Sequence, residues 1–308
     1  MSIWSQRRYR LAVWFLFAYA ALCAVAGVLV ADGTLHPQRR KLDTESVSQA
    51  EQVAQSAGSN LEDVSISSQD RLLLKAWLIR PASNNGNAVL LLHGLSDNRS
   101  GMIGYAELFL GRGYTVLMPD ARANGESQGM IATYGLLERQ DIRDWAQFIK
   151  EKVHPPCVYA LGESMGAAQL LQSISADSPF CAVAAESSFS NLQEIGYDRI
   201  GQFFGTGPWL GRTLLRPVIE VVFAYSRWRY GFDLRRVSPE AAVAKANVPV
   251  LLIHGQVDSN IRVRHSRRIK AIAPGVTLWE VPGADHCGAI STAPSEFAAR
   301  VLALFQPR

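Results

Sequence analysis

The sequence predicts an α/β fold with a mainly parallel central sheet, helices on both faces and a helical insertion, all preceded by one membrane-spanning helix. Three observations carry this. Short, wholly apolar runs alternate with amphipathic stretches from Ala88 to the C-terminus, the pattern of strands covered on both faces. Residues Leu11 to Ala31 contain no charge. Within the alternating stretch, Val158 to Leu171 reads as a strand, a Gly162-Glu-Ser164-Met-Gly166 turn and a helix that opens on small residues.

The 308 residues, 48% of them hydrophobic, suffice for one α/β domain plus an appendage. A net charge of +4 without a dense basic run interleaved with aromatics argues against nucleic-acid partners. The six histidines and four cysteines fall in no metal-ligand spacing, so no metal site is expected, and the serine chemistry argued below needs no cofactor.

At about 1.5 Å per residue, Leu11 to Ala31 makes a helix of about 30 Å, the thickness of a bilayer's hydrocarbon core. Trp4, Tyr9 and Trp14 are expected as interfacial anchors at its leading end. A cleaved signal peptide is the rival, since Ala24-Val-Ala26 resembles a cleavage site, but the apolar stretch is long for one. Arg7, Arg8 and Arg10 precede the helix, whereas Arg39, Arg40 and Lys41 follow at a greater distance. We therefore expect residues 1–10 in the cytoplasm and the rest of the chain on the non-cytoplasmic side.

Residues 32–61 are polar and read as a stalk or linker with one helix around Thr44 to Gln55. The main α/β domain is expected over 62–308. Strands are expected from Glu62, over Leu72 to Ile79, Ala88 to Leu92 and Tyr114 to Pro119, and helices over Tyr105 to Leu110 and Leu136 to Lys152. The Ser164 strand and helix follow, then a strand over Ala182 to Glu186. Residues 191–237 interrupt the rhythm, rich in aromatics (Phe203, Phe204, Trp209, Phe223, Tyr225, Trp228 and Tyr230 among them) and arginines (Arg199, Arg212, Arg216, Arg227 and Arg229 among them), with breaks at Pro208 and Pro217. This reads as a lid whose apolar face lines an acyl pocket or packs on the body, and whose arginines also suit a phospholipid surface. Strands over Val250 to Ile253 and Thr277 to Val281, and helices near Val263 to Ile272 and Ser295 to Phe305, complete the fold.

A serine at a sharp strand-to-helix corner sits in strained backbone, and flanking glycines make room for it. Its hydroxyl needs an imidazole to take its proton and a carboxylate to orient that imidazole. Asp258 and His286 each follow a strand by a short loop, in the chain order Ser, Asp, His, and so lie on the same sheet edge as Ser164. The Leu95 and Met165 N–H groups are the oxyanion donors expected from the loop after the third strand and from the helix start. Glu186 is the second candidate acid. His93 is expected to shape its loop and Asp120 to serve a structural role; His254 should face the core, and His36, His154 and His265 the surface. Cys287, beside His286, suggests sensitivity to thiol reagents. Cys157 and Cys181 begin adjacent parallel strands about 5 Å apart, which leaves open a disulfide or two buried thiols.

From Glu62 onward the chain resembles the α/β-hydrolase superfamily, and within it the prolyl-oligopeptidase-like, single-domain and often membrane-anchored serine hydrolases. The resemblance rests on Leu90 to Leu95 (LLLHGL), Pro119 to Ser127 (PDARANGES), Leu161 to Gly166 (LGESMG), Leu251 to Asp258 (LLIHGQVD) and Gly283 to His286 (GADH). Ala123-Asn124 departs from the usual Gly-His. The resemblance implies the α/β-hydrolase fold and a serine hydrolase acting on a small-molecule ester, thioester or lipid-like substrate. Three alternatives stay open: a serine peptidase, a non-catalytic membrane-tethered binding module, and a cytoplasm-facing enzyme that deacylates lipidated proteins.

Overall fold

The computed structural model describes residues 3–174 and 177–306, with side chains from Gln6 onward. Trp4, expected as an anchor, lies outside the described side chains. In chain order the helices are α1 (Ile3–Leu35), α2 (Thr44–Ser56), α3 (Ile103–Leu110), α4 (Glu138–Val153), α5 (Ser164–Ser173), α6 (Leu192–Phe203), α7 (Trp209–Arg212), α8 (Arg216–Tyr230), α9 (Pro239–Val243), α10 (Arg264–Ile272), α11 (Ala289–Thr292) and α12 (Pro294–Leu304). The strands are β1 (Leu61–Ser67), β2 (Leu73–Ile79), β3 (Ala88–Leu92), β4 (Thr115–Pro119), β5 (Val158–Glu163), β6 (Ala182–Glu186), β7 (Val250–Gly255) and β8 (Thr277–Val281). These elements divide into two compact units. One joins the N-terminal segment through Leu35 to Leu192–Arg236, and the other comprises His36–Asn191 and the chain from Val237 onward.

The larger unit is built on one sheet of order β1-β2-β4-β3-β5-β6-β7-β8. β1 and β2 pair antiparallel, as do β2 and β4, and every other pairing is parallel. The central strands are apolar at consecutive positions because each face of the sheet has a helical cover. Val89, Leu91, Tyr159 and Leu161 pack with α2, α3 and α12 residues on one face. Leu90, Leu92, Val158 and Ala160 pack with α4, α5 and α10 residues on the other.

Residues 32–61 are not a free stalk. Asp43 caps α2 by accepting the Ser46 N–H at 2.7 Å, and Ala50 and Ala54 are fully buried in the core. Two alanines on one helical face allow α2 to approach closely, a signal that the polar composition of the segment obscures. Cys157 and Cys181 form a disulfide, with Cα atoms 5.7 Å apart, where β5 and β6 begin.

In the smaller unit, α1 extends over 33 residues, and Gln6–Leu35 is long and apolar enough to cross a membrane. Tyr9 and Trp14 are exposed on it. The inserted helices α6, α7 and α8 belong to this same unit, with α8 packed along α1.

Candidate active site

The end of β5 turns directly into α5, and Ser164 at the corner takes φ +50°, a left-handed conformation that non-glycine residues rarely adopt. A Cβ on Gly162 would lie 2.7 Å from the Gly166 carbonyl carbon, and one on Gly166 would lie 2.4 Å from the Leu92 carbonyl oxygen. Both positions therefore exclude side chains, and Ser164 is presented at the C-terminal edge of the sheet, partly accessible.

Asp258 follows β7 and His286 follows β8, on that same edge. The three residues come together in one hydrogen-bonded line. Ser164 Oγ donates to His286 Nε2 at 2.9 Å, and His286 Nδ1 donates to Asp258 Oδ2 at 2.9 Å. The other Asp258 oxygen accepts the Asn260 and Ile261 N–H groups at 2.9 and 2.7 Å. Burial pushes the Asp258 carboxyl up, but hydrogen bonds from His254, His286 and Ile261 outweigh it and hold the group well below its ordinary range. An acid kept ionised beside Nδ1 fixes the imidazole tautomer with Nε2 free to accept the serine proton.

His254 is buried, as expected, but does more than fill the core. Its Nε2–H donates to the Ile261 carbonyl at 2.6 Å and lies 3.3 Å from Asp258 Oδ2, while Nδ1 accepts from the Ser266 hydroxyl at 2.7 Å. It thus supports the same Asp258 oxygen that accepts from His286. His265, expected at the surface, is fully buried and accepts from the Ser190 N–H at 3.2 Å, since it lies on the inner face of α10. His36 is partly exposed and His154 is exposed, as expected of surface residues.

His93 is buried and shapes the loop after β3, donating from Nδ1 to the Gly94 carbonyl at 2.7 Å and accepting the Ala121 N–H at Nε2 at 3.0 Å. Leu95 follows in this loop, partly exposed, and Met165 opens α5 beside Ser164. Asp120 is structural: it accepts the Arg99 N–H at 2.7 Å, the Arg99 guanidinium at 2.5 Å and the Glu126 N–H at 2.7 Å. Ala123, in the departing dipeptide, stands at φ +61°, where glycine would be less strained.

Glu186 does not bond His286. It accepts the Ala289 N–H at 2.8 Å and the Tyr105 hydroxyl at 3.0 Å. The same hydroxyl lies 3.3 Å from Glu163, the residue immediately before Ser164, so one phenol bridges two carboxyls behind the elbow. Burial raises Glu163 to about 7, helped by the charges of Glu186 and Asp97, and burial raises Glu186 as well. Glu163 was visible inside the Gly-Glu-Ser-Met-Gly motif, but nothing local pointed to Tyr105 as its partner. The same two carboxyls bear on Cys287. Burial first, then the charges of Glu163 and Glu186, push its thiol far up, which disfavours the thiolate and opposes the expected sensitivity to thiol reagents.

Known proteins resemble this chain in sequence or in fold. The chain is 29% identical to the Bacillus subtilis protein YqkD over 202 residues, 64% of this chain and 63% of YqkD, so the match spans less than two thirds of that relative. It is 27% identical to YfhR of Escherichia coli K12 over 239 residues, 75% of each chain. The quorum-quenching protein AidA of Acinetobacter baumannii is 24% identical over 64% of this chain and 78% of AidA. Among solved structures, an esterase of Pyrococcus furiosus superposes with a TM-score of 0.68 at 23% identity, covering 88% of this chain and 98% of the esterase. An acylaminoacyl peptidase gives 0.61 at 18% identity over 81% of this chain and 42% of its own. The sequence profile of the alpha/beta hydrolase family matches residues 89–300, most of the chain and the whole stretch from β3 to α12 that carries Ser164, Asp258 and His286, and the protein is a member of that family.

Proposed function

We propose that the protein is a membrane-anchored serine hydrolase that cleaves carboxylic esters or thioesters through an acyl-serine intermediate. The single observation that carries this reading is the line of two 2.9 Å hydrogen bonds from Ser164 through His286 to Asp258. In the first half-reaction Ser164 Oγ attacks the substrate carbonyl while His286 Nε2 takes its proton. The ionised Asp258 stabilises the imidazolium so formed. The Leu95 and Met165 N–H groups receive the tetrahedral oxyanion. Collapse expels the alcohol or thiol, which takes its proton from His286. Water then attacks the acyl carbon as His286 Nε2 takes its proton, and collapse of the second tetrahedral intermediate breaks the bond to Ser164 Oγ, which recovers the proton from His286 as the acid leaves.

The anchor in this reading is α1, with its N-terminus cytoplasmic and the larger unit outside. A disulfide between Cys157 and Cys181 supports that side, because such bonds persist in oxidising compartments. A peptidase would use the same residues, and the likeness to an acylaminoacyl peptidase keeps that second reading in view. The test is a panel of p-nitrophenyl esters, thioesters and peptide p-nitroanilides offered to the native chain and to Ser164→Ala. Ester or thioester cleavage lost in the variant is expected; cleavage of the anilides alone would replace the esterase reading with the peptidase one.

A further inference from the structure

In the smaller unit, the helix expected to cross the membrane does not stand alone. Tyr19, Cys23, Gly27, Ala31 and Leu35, every fourth residue of α1, are wholly or partly buried. Three contacts with the inserted helix fix its course. The Tyr19 hydroxyl donates to the Leu214 carbonyl, a Cβ on Gly27 would lie 2.5 Å from Val221 Cβ, and the Tyr230 hydroxyl is 3.3 Å from Asp32 Oδ1. Small residues at this spacing let helices approach closely where hydrocarbon is the solvent.

The contacts fall in the same order along both helices, so α8 runs parallel to α1. Its start is level with Tyr19 and its end with Asp32, about 20 Å apart at the helical rise. Gly196 packs against Ile219, Gly201 against the Gly207 carbonyl and Gly211 against Tyr197, so the end of α6 with Phe203 and Phe204 lies beside α7, which leads into the start of α8. At that deep end Phe203 (83% exposed), Phe204, Trp209 and Leu214 face outward. The charges there are partnered: Arg212 binds Glu194 at 2.5 Å, and Arg216 lies 3.5 Å from Glu220. At the shallow end, exposed Trp228 (80%) stands between Arg227 and Arg229, whereas Arg235, beyond α8, folds back to pair with Glu220 and to lie over the Phe223 ring. Over Leu192–Arg236 there are seven arginines against four acids.

We infer that the insertion is itself seated in an anionic phospholipid bilayer, with the segment 203–215 in the hydrocarbon beside α1 and the Trp228–arginine end among the headgroups. The occupant follows from depth: the exposed apolar end lies level with the middle of the apolar stretch of α1, and the basic aromatic end lies where that stretch meets its first acid. A protein partner would leave this agreement with α1 unexplained. The inference rests on α1 being a span, as proposed above.

The test uses the full chain in vesicles of phosphatidylcholine and phosphatidylglycerol, carrying one added cysteine at a time: Leu16→Cys in the span, Trp209→Cys or Phe203→Cys in the insertion, and Met130→Cys, exposed on the larger unit. Reaction with a membrane-impermeant maleimide is followed peptide by peptide, which separates the native cysteines. Both the span and insertion positions should react at least about tenfold more slowly than position 130, because hydrocarbon holds no water. Adding Gly27→Leu, which cannot fit against Val221, should restore reactivity at position 209 and leave position 16 protected. Fast reaction at both 209 and 203 with position 16 protected would overturn this inference and leave the span intact. Fast reaction at position 16 as well would overturn both.

Discussion

Glu163→Gln should flatten the fall in stability expected of the native chain on going from weakly acidic to weakly alkaline pH. Burial, with Glu186 and Asp97 nearby, raises the Glu163 carboxyl from 4.5 to about 7. Below pH 4.5 the group is protonated in both folded and unfolded chains and adds no pH dependence. Between 4.5 and about 7 the unfolded chain releases a proton that the folded chain keeps, so folding stability falls as pH rises through this window. By linkage the full loss is on the order of 3 kcal/mol, complete only above pH 7. The amide cannot ionise, yet its oxygen can still accept the Gly94 N–H, and it can bond the Tyr105 hydroxyl. The assay is urea denaturation of the full chain in detergent at about pH 5 and about pH 8. The native midpoint should drop between the two, and that of the variant should drop less, its remaining slope coming from other carboxyls that burial raises, Glu186 and Asp141 among them. Parallel drops in the two proteins would refute the reasoning.

Three further substitutions separate the parts of the site. Asp258→Asn should leave the fold intact but lower kcat on the order of 10³- to 10⁴-fold, because the imidazole loses the partner that fixes its tautomer; an effect under tenfold would mean that Asp258 does not orient His286. His254→Phe should lower kcat roughly tenfold with KM little changed, the cost of about one hydrogen bond behind Asp258, and should move the acid limb of the rate profile; an unchanged profile would make His254 a packing residue only. Cys157→Ser opens a bridge between residues 24 apart in sequence and should cost roughly 3 kcal/mol of stability. The unreduced, denatured native chain should offer two alkylatable thiols, Cys23 and Cys287; four without reduction would contradict the bridge.

The parts of this molecule legible in the sequence are those whose cause is local. Ser164 is found because its glycines are forced by close backbone approach within one turn. Asp258 and His286 are found because each ends an apolar strand, and parallel strands put their C-terminal ends on one edge. What was missed depends on contacts far along the chain. Tyr105 reaches Glu186 across 81 residues, and no motif marks a phenol as the bridge between two carboxyls. The burial of α2 hung on Ala50 and Ala54 within a polar stretch, and His265 looked solvated because α10 is otherwise rich in arginine and lysine. The pairing of α1 with α8 joins segments nearly two hundred residues apart, and the small residues that permit it look ordinary in an apolar helix.

The central claim is that Ser164 is a nucleophile activated by His286, and labelling with a fluorophosphonate probe tests it most directly. The full native chain should be modified at Ser164, as read by peptide mass, with Ser164→Ala unlabelled and His286→Ala slowed by orders of magnitude. Folded native protein that resists the probe, or labelling that survives in Ser164→Ala, would contradict the account.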